Sequence, residues 1–310
     1  MNDTDQIPAK FSAEADIAFT RHGSAIDVRL TRPKALNALT HNMAKALYAG
    51  LRVWADDNTV SHVVISAETG DKHAFCAGGD IRDLHEGFKK GTPRYAFFRD
   101  EYRLNEAIAT FPKPYISLMD GIVMGGGAGI SMHGSHRIVT ENTKFAMPEV
   151  GIGLIPDVGG SYILPRMKNN FGMFLGLTGL AVGPDVCLEA GIATHFCPAN
   201  EIDVLRAKLL RSTNPLDELQ SLCTTPPSNL LSGNANRIES AFSAITLPEL
   251  FELLELQIQP NPWLSKALER MKAASPLSLC LAFELLKRGR KLSLRECLVM
   301  EYQQIGRAHV

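Results

Sequence analysis

The sequence predicts an α/β core up to about residue 210, followed by a helical C-terminal part. Two observations carry this. Up to that point, β-branched runs of strand length alternate with helical periods and glycine-rich turns. From Pro215 onward the strand signals fade and helical patterning remains. The composition agrees: 310 residues with 45% hydrophobic and 21% charged side chains form an ordinary globular balance, which excludes a disordered chain.

The elements follow in order. Residues 16–30 (DIAFTRHGSAIDVRL) read as two strands around a His22-Gly23-Ser24 turn. In residues 41–55, Met43, Leu47, Leu51 and Trp54 recur at helical spacing. A β-branched strand runs from Val60, and residues 70–79 read as a glycine-rich loop. Asp80 is placed to cap a helix through IRDLHEGFKK, and residues 97–111 suggest another helix. PYISLMDGIVMGGG then reads as strand, turn and glycine loop, and SHRIVTENTKFAMPEV as strand, turn, strand. Gly159 to Leu164 enters a helix, and GLAVGPDVCLEAGIATHFC is a loop, a short helix and a strand. Residues 248–258 and 276–304 are helical, the latter with Ser275 as N-cap and Pro276 at its first position. The expected organisation is an N-terminal extension over 1–15, a core over 16–210 and a helical region over 211–310, with no clear sequence repeat.

Charge and composition exclude several classes. Lys plus Arg total 32 against 33 Asp plus Glu, so the chain carries no basic footprint for nucleic acid or an anionic membrane. No run approaches the ~18 apolar residues of a membrane span. The acidic, polar start lacks the features of a secretory or Arg-rich transit segment. Six dispersed cysteines form no CxxC pair, which argues against a zinc site or disulfide framework and for a reducing compartment, read as the cytoplasm.

Three segments concentrate chemistry. In HAFCAGGDIRDL (73–84), Ala77, Gly78 and Gly79 leave backbone N–H groups uncovered before a helix, able to hold an anionic oxygen; a tight turn needing positive φ is the alternative. In DGIVMGGGAGISMHG (120–134), three glycines after a strand expose amides or permit close helix–strand packing. This segment fits neither GxGxxG nor GxxxxGK[ST], so dinucleotide and P-loop readings fail. In FAMPEVGIGLIPDVGG (145–160), Glu149 and Asp157 lie in an otherwise apolar run. Burying ionisable groups there is costly and raises a carboxyl pKa, which points to function unless one caps a helix or pairs with a base such as Arg166. His133 and His136, three apart, and Cys76 read as packing or surface residues, and no GxSxG elbow is present.

Jointly, LTRPKALNAL (30–39), AFCAGGDI (74–81), GIVMGGGAG (121–129) and MPEVGIGLIPDVGG (147–160) resemble the crotonase, or enoyl-CoA hydratase/isomerase, superfamily over roughly residues 16–305. The resemblance implies a crotonase-like spiral of repeated ββα units with helices after it. It implies an acyl-CoA thioester as substrate, with the N–H groups of Gly79 and Gly126 as the oxyanion hole. Hydratases of the superfamily carry a glutamate where this chain has Gly129, and tend to have glycine where it has Asp157. The combination of Gly129, Glu149 and Asp157 is similar to the branch whose members hydrolyse 3-hydroxyisobutyryl-CoA in valine breakdown. FFRDEYRLN (97–105) and AGIATHF (190–196) resemble that branch too, and Glu101 falls on its substrate-contacting glutamate.

The resemblance therefore implies a hydrolase in which Glu149 attacks the carbonyl or activates water, while Asp157 and Glu101 bind the substrate hydroxyl. Arg32, Lys34 and Arg82 are candidates for the CoA phosphates. No metal or redox cofactor is expected; CoA enters as part of the substrate, and homo-oligomerisation is left open. A hydratase or isomerase using Glu149 alone, and a CoA-binding protein without turnover, are the other readings. The chain is also expected to be truncated, with residues 305–310 foreign to it. IGRAHV back-translates to ATC GGA AGA GCA CAC GTC, a common sequencing-adapter sequence followed in frame by a stop, and chains of the superfamily continue through another helix.

Overall fold

The computed structural model describes residues 16–91, 95–225, 235–257 and 261–305. The chain forms two compact units interleaved in sequence, one of residues 1–145 and 192–227, the other of 146–191 and 228–310. The sequence places a single boundary near residue 210 instead. Contacts made after the chain returns at residue 192 are long-range, and no local pattern announces them.

In the first unit, β1 (Ile17–His22) and β2 (Ala25–Leu30) form a hairpin whose turn is made by Gly23 at φ 59°. α1 (His41–Asp56) begins where the Thr40 hydroxyl accepts the Met43 N–H at 3.2 Å. It buries Met43, Leu47, Leu51 and Trp54, spaced along one helical face. Three strand pairs follow: β3 (His62–Ala67) with β4 (Ala74–Cys76), β5 (Tyr115–Met119) with β6 (Ile122–Met124), and β7 (His136–Val139) with β8 (Lys144–Ala146). The first strand of each pair joins a six-stranded sheet ordered β1-β2-β3-β5-β7-β9, with β9 at His195–Phe196. The second joins a three-stranded sheet, β4-β6-β8. This alternation is the spiral, since each pair places one strand in each sheet. β4 lies inside the segment expected to be loop. With three residues it is too short for a periodic signal, and its pairing with β6 defines it.

β2, β3, β5, β7 and β9 run parallel, with Val28 opposite Ile65 and Ile65 opposite Ser117. β3 and β5 are buried almost throughout, so they read as near-continuous apolar runs rather than alternations. α2 (Ile81–Lys89) and α3 (Tyr95–Ala109) follow β4, and α4 (Gly126–Met132) follows β6. After the excursion through the second unit, α8 (Ile202–Arg211) and α9 (Pro215–Leu222) return to the first. Their Leu205, Leu209 and Leu219 close a cluster with Ala25, Val64, Ile116 and Ile138.

The second unit is helical: α5 (Gly160–Ile163), α6 (Phe171–Thr178) and α7 (Pro184–Glu189), then α10 (Ala235–Ala241), α11 (Leu247–Gln257), α12 (Pro262–Ala273), α13 (Pro276–Gly289) and α14 (Leu294–Ile305). Every residue of α6 is buried, the pattern of a helix at the centre of its unit. Phe174 stacks on Trp263 at 5.9 Å and meets Phe242 edge-on at 5.5 Å. The single helix expected over 276–304 is two. Ser293 starts a new capping box, its N–H donating to Glu296 at 2.7 Å while its hydroxyl accepts the Glu296 N–H at 3.3 Å. Of the expected extension and foreign terminus, residues 1–15 and 306–310 lie outside the described residues. Among the described residues no helix is long and apolar enough to cross a membrane.

Candidate active site

The first unit brings three of the expected residues together. Gly126 opens α4, where helix geometry leaves its N–H without an intrahelical acceptor. Gly79 bridges to Leu39 without using its own N–H: the bonds run from Leu39 N–H to the Gly78 carbonyl (2.8 Å) and from Asp80 N–H to the Leu39 carbonyl (3.0 Å). A methyl group placed on Gly126 would lie 3.1 Å from the Gly79 nitrogen and 2.6 Å from Glu101 Oε1. So two backbone donors and a carboxylate converge on the space that the missing side chain leaves. Glu101, on α3, is 2% exposed. Preorganised amides in a dry setting are the arrangement that stabilises an oxyanion. The next glycine serves packing instead. A Cβ on Gly127 would sit 2.1 Å from the Cys76 carbonyl oxygen, so Gly127 permits α4 to pack on β4.

The second unit brings the two expected carboxylates together. Glu149 begins a 3-10 turn (Glu149–Ile152) that Pro148 leads into, and Asp157 follows Pro156 in the next loop. Both are buried, at 5% and 7% exposure. Burial above all, then the negative charge of Asp157, and to a lesser degree that of Glu301, push the Glu149 carboxyl well above its ordinary range. Its Oε2 has no hydrogen-bond partner among the described residues, which leaves that oxygen with nothing to hold it but a ligand or water. Arg166, the base offered as an alternative partner for these acids, donates to the carbonyls of Tyr162 (2.7 Å), Gly289 (2.8 Å) and Leu292 (2.8 Å).

The structure adds a third acid that sequence reasoning does not single out. Glu301 on α14 is fully buried; its Oε2 accepts the Gly159 N–H at 2.8 Å and its Oε1 accepts the Ser161 N–H at 2.8 Å and the Ser161 hydroxyl at 2.5 Å. Burial raises its carboxyl to about 8. A signal is present in the sequence: Cys297, Leu298, Glu301 and Ile305 form one buried helical stripe, and a glutamate within such a stripe needs a partner.

The remaining candidates separate. Arg32 is committed to Asp80 (3.0 Å), Asp16 (3.5 Å) and the Ala38 carbonyl (2.6 Å), so its guanidinium braces the loop before Gly79 and is a poor candidate for a CoA phosphate. Lys34 and Arg82 are exposed. Burial pushes the Cys76 thiol up to about 12, which leaves it inert at neutral pH and part of the packing under α4. The His136 ring accompanies Ser135 (2.9 Å) and lies 6.0 Å from the His195 ring.

Comparison with known proteins places this geometry. The enoyl-CoA hydratase/isomerase family profile matches residues 26–309. The mitochondrial 3-hydroxyisobutyryl-CoA hydrolase of Xenopus laevis is 42% identical over 296 residues, covering 92% of this chain and 76% of that protein. The Homo sapiens protein of the same name is 40% identical over 303 residues, covering 94% and 77%. Among solved structures, a carnitinyl-CoA dehydratase from Mycobacterium thermoresistibile superposes with TM-score 0.87 at 36% identity, covering 93% of this chain and 84% of that one. An enoyl-CoA hydratase from Rhodobacter sphaeroides does so with TM-score 0.85 at 40% identity, covering 93% and 83%. These findings overturn the cytoplasmic reading, because the similar hydrolases are named as mitochondrial. All six cysteines are free.

Proposed function

Because this chain belongs to the enoyl-CoA hydratase/isomerase family, we propose that it is an acyl-CoA thioester hydrolase whose substrate is 3-hydroxyisobutyryl-CoA, a step of valine breakdown. The observation that carries the reading is the pair of buried carboxyls, Glu149 and Asp157, together with the absence of a third where hydratases place one. Position 129 is a glycine buried inside α4, and no acid stands there to help add water across a double bond.

Hydrolysis breaks the C–S bond of the thioester. In one route the Glu149 carboxylate attacks the carbonyl carbon, CoA leaves as thiolate and takes a proton, and water then cleaves the mixed anhydride. In the other, Glu149 takes a proton from water as that water attacks the same carbon. Either way the carbonyl oxygen becomes negative, and the N–H groups of Gly79 and Gly126 are the donors assigned to it; one such donor is worth about 3–4 kcal/mol of transition-state stabilisation. Asp157 and Glu101 are assigned to the 3-hydroxyl group. Burial supports this role, since a dry site built to bind a hydroxyl rejects analogues lacking it. A mass increment equal to the acyl group on the Glu149 peptide, trapped by rapid quenching, marks direct attack by Glu149.

Two structural relatives are named as a hydratase and a dehydratase, which keeps water addition and removal as the competing reading. The experiment sets thiol release from 3-hydroxyisobutyryl-CoA, 3-hydroxypropionyl-CoA and isobutyryl-CoA beside hydration of crotonyl-CoA. Thiol release is expected to dominate, fastest with the first substrate. Faster hydration than thiol release rejects the proposal.

A further inference from the structure

Glu301 binds the backbone immediately after Asp157. Between the two, Val158 adopts φ 51° and Gly159 φ 83°. A β-branched residue in the left-handed region is strained, and such strain persists only where its surroundings hold it. What holds it here is visible. The two oxygens of Glu301 accept the N–H groups of Gly159 and Ser161, and the Ser161 hydroxyl adds a third bond. The Gly160 N–H closes the turn on the Asp157 carbonyl at 2.7 Å. The end of α13 packs closely on this turn at Gly289, where a Cβ would lie 1.8 Å from the Ser161 carbonyl oxygen, and the chain then turns into α14.

We propose that Glu301 is a positioning residue of the reaction: it clamps the strained Val158–Ser161 turn so that the Asp157 carboxyl stays beside Glu149. The proposal rests on the hydrolase reading of this pair. Glu301 acts through Asp157 and touches no substrate. It also makes the pair into a cluster of three buried acids, whose ionisations are coupled. Among the described residues the Cys297 thiol on α14 also interacts with Glu301, and Arg166 and Glu296 act on that thiol in turn; Arg166 is held by backbone carbonyls.

The test uses the full chain and two variants. Ser161→Ala removes the hydroxyl bond and leaves both backbone donors in place. Glu301→Gln keeps the shape, but its single acceptor oxygen serves only one of the two N–H groups and its amide opposes the other. The pH dependence of kcat in the unaltered protein is expected to show an inflection near 8, where Glu301 ionises. Ser161→Ala is expected to move that inflection upward, because the lost bond favoured the ionised form. Glu301→Gln is expected to abolish it and to lower kcat by about 10²-fold, with a much smaller change in KM, as misplacement of a reacting group does.

A second readout needs no turnover. The folded-state pKa of Glu301 lies above its unfolded value, so its stabilising contribution is full below the unfolded pKa and fades as pH rises towards about 8. Melting temperatures between pH 5 and 8 should therefore fall less steeply in Glu301→Gln than in the unaltered chain. If Glu301→Gln does not fold, Ser161→Ala decides. An inflection that Ser161→Ala leaves in place, or a kcat loss in Glu301→Gln with an unaltered pH profile, overturns the proposal. An unaltered chain that releases no thiol overturns the hydrolase reading instead, while the melting series still reports on Glu301.

Discussion

Glu149 shows the tension that a reactive carboxyl imposes on its surroundings. The proposed mechanism needs its charge for attack or base catalysis, yet burial and neighbouring acids disfavour that charge. The acid limb of kcat is thus expected above the ordinary carboxylate range, with rate rising as Glu149 ionises. Glu149→Gln keeps the shape and removes both roles, so kcat should fall by about 10³–10⁴-fold while acyl-CoA still binds. The same change should stabilise the fold above the ordinary carboxylate range, because it deletes a buried group whose ionisation the fold disfavours. Because the folded pKa of Glu149 is raised, its stabilising contribution fades as pH rises; the melting-temperature advantage of the variant should grow as pH climbs above the ordinary carboxylate range. Full activity in Glu149→Gln would remove Glu149 from the mechanism. Asp157→Asn should lose rate and also about tenfold or more of the preference for 3-hydroxylated over plain acyl-CoAs. Equal slowing on both substrates would deny Asp157 the hydroxyl.

At the scale of elements, the start of α4 separates function from packing within two adjacent residues. A Cβ on Gly126 would meet the Glu101 carboxylate and the Gly79 nitrogen. Gly126→Ala should therefore lower kcat by about 10²–10³-fold, with a melting temperature close to that of the parent. Gly127→Ala drives a Cβ against the Cys76 carbonyl, which belongs to the backbone and cannot swing aside. This variant should destabilise by about 1–3 kcal/mol. Circular dichroism melts beside thioester kinetics distinguish the two; equal effects on rate and stability would show that the run acts as a packing motif throughout. The packing reading of the triple glycine is met at Gly127, and the donor reading at Gly126 is what the first variant tests.

At the scale of the whole molecule, the two units carry buried titratable groups of opposite tendency. In the first, His62 is 0% exposed and held by the Leu209 carbonyl at 2.9 Å and Ser61 at 2.8 Å, and burial lowers its pKa. A histidine depressed in the fold contributes stability above its unfolded pKa that is lost as pH falls. His136 and His195, lowered mainly by burial, act in the same direction. In the second unit, Glu149 and Glu301 lose their contributions as pH rises. Amide exchange, corrected for intrinsic rates, should show the first unit losing protection from pH 6.5 down to 5 and the second from pH 6 up to 8. Parallel responses in both units would contradict this assignment.

Much of this protein is determined by sequence alone, because the physics involved is local. The His22-Gly23-Ser24 hairpin, the face of α1, the Ser275–Pro276 start of α13 and the apolar run around Glu149 and Asp157 each depend on neighbours within a few residues. The glycine motifs are legible for the same reason, since a residue without a side chain announces backbone use. Tertiary structure decided the rest. β4 exists through its partner strand, the two units are completed by chain returning from far away, and the glycine at 289 answers to the Ser161 carbonyl it packs against. Glu301 became part of the site only when α14 was laid against the Gly159–Ser161 turn, 140 residues earlier in the chain. Periodicity marks which face of a helix is buried, but only the fold supplies the groups that face meets.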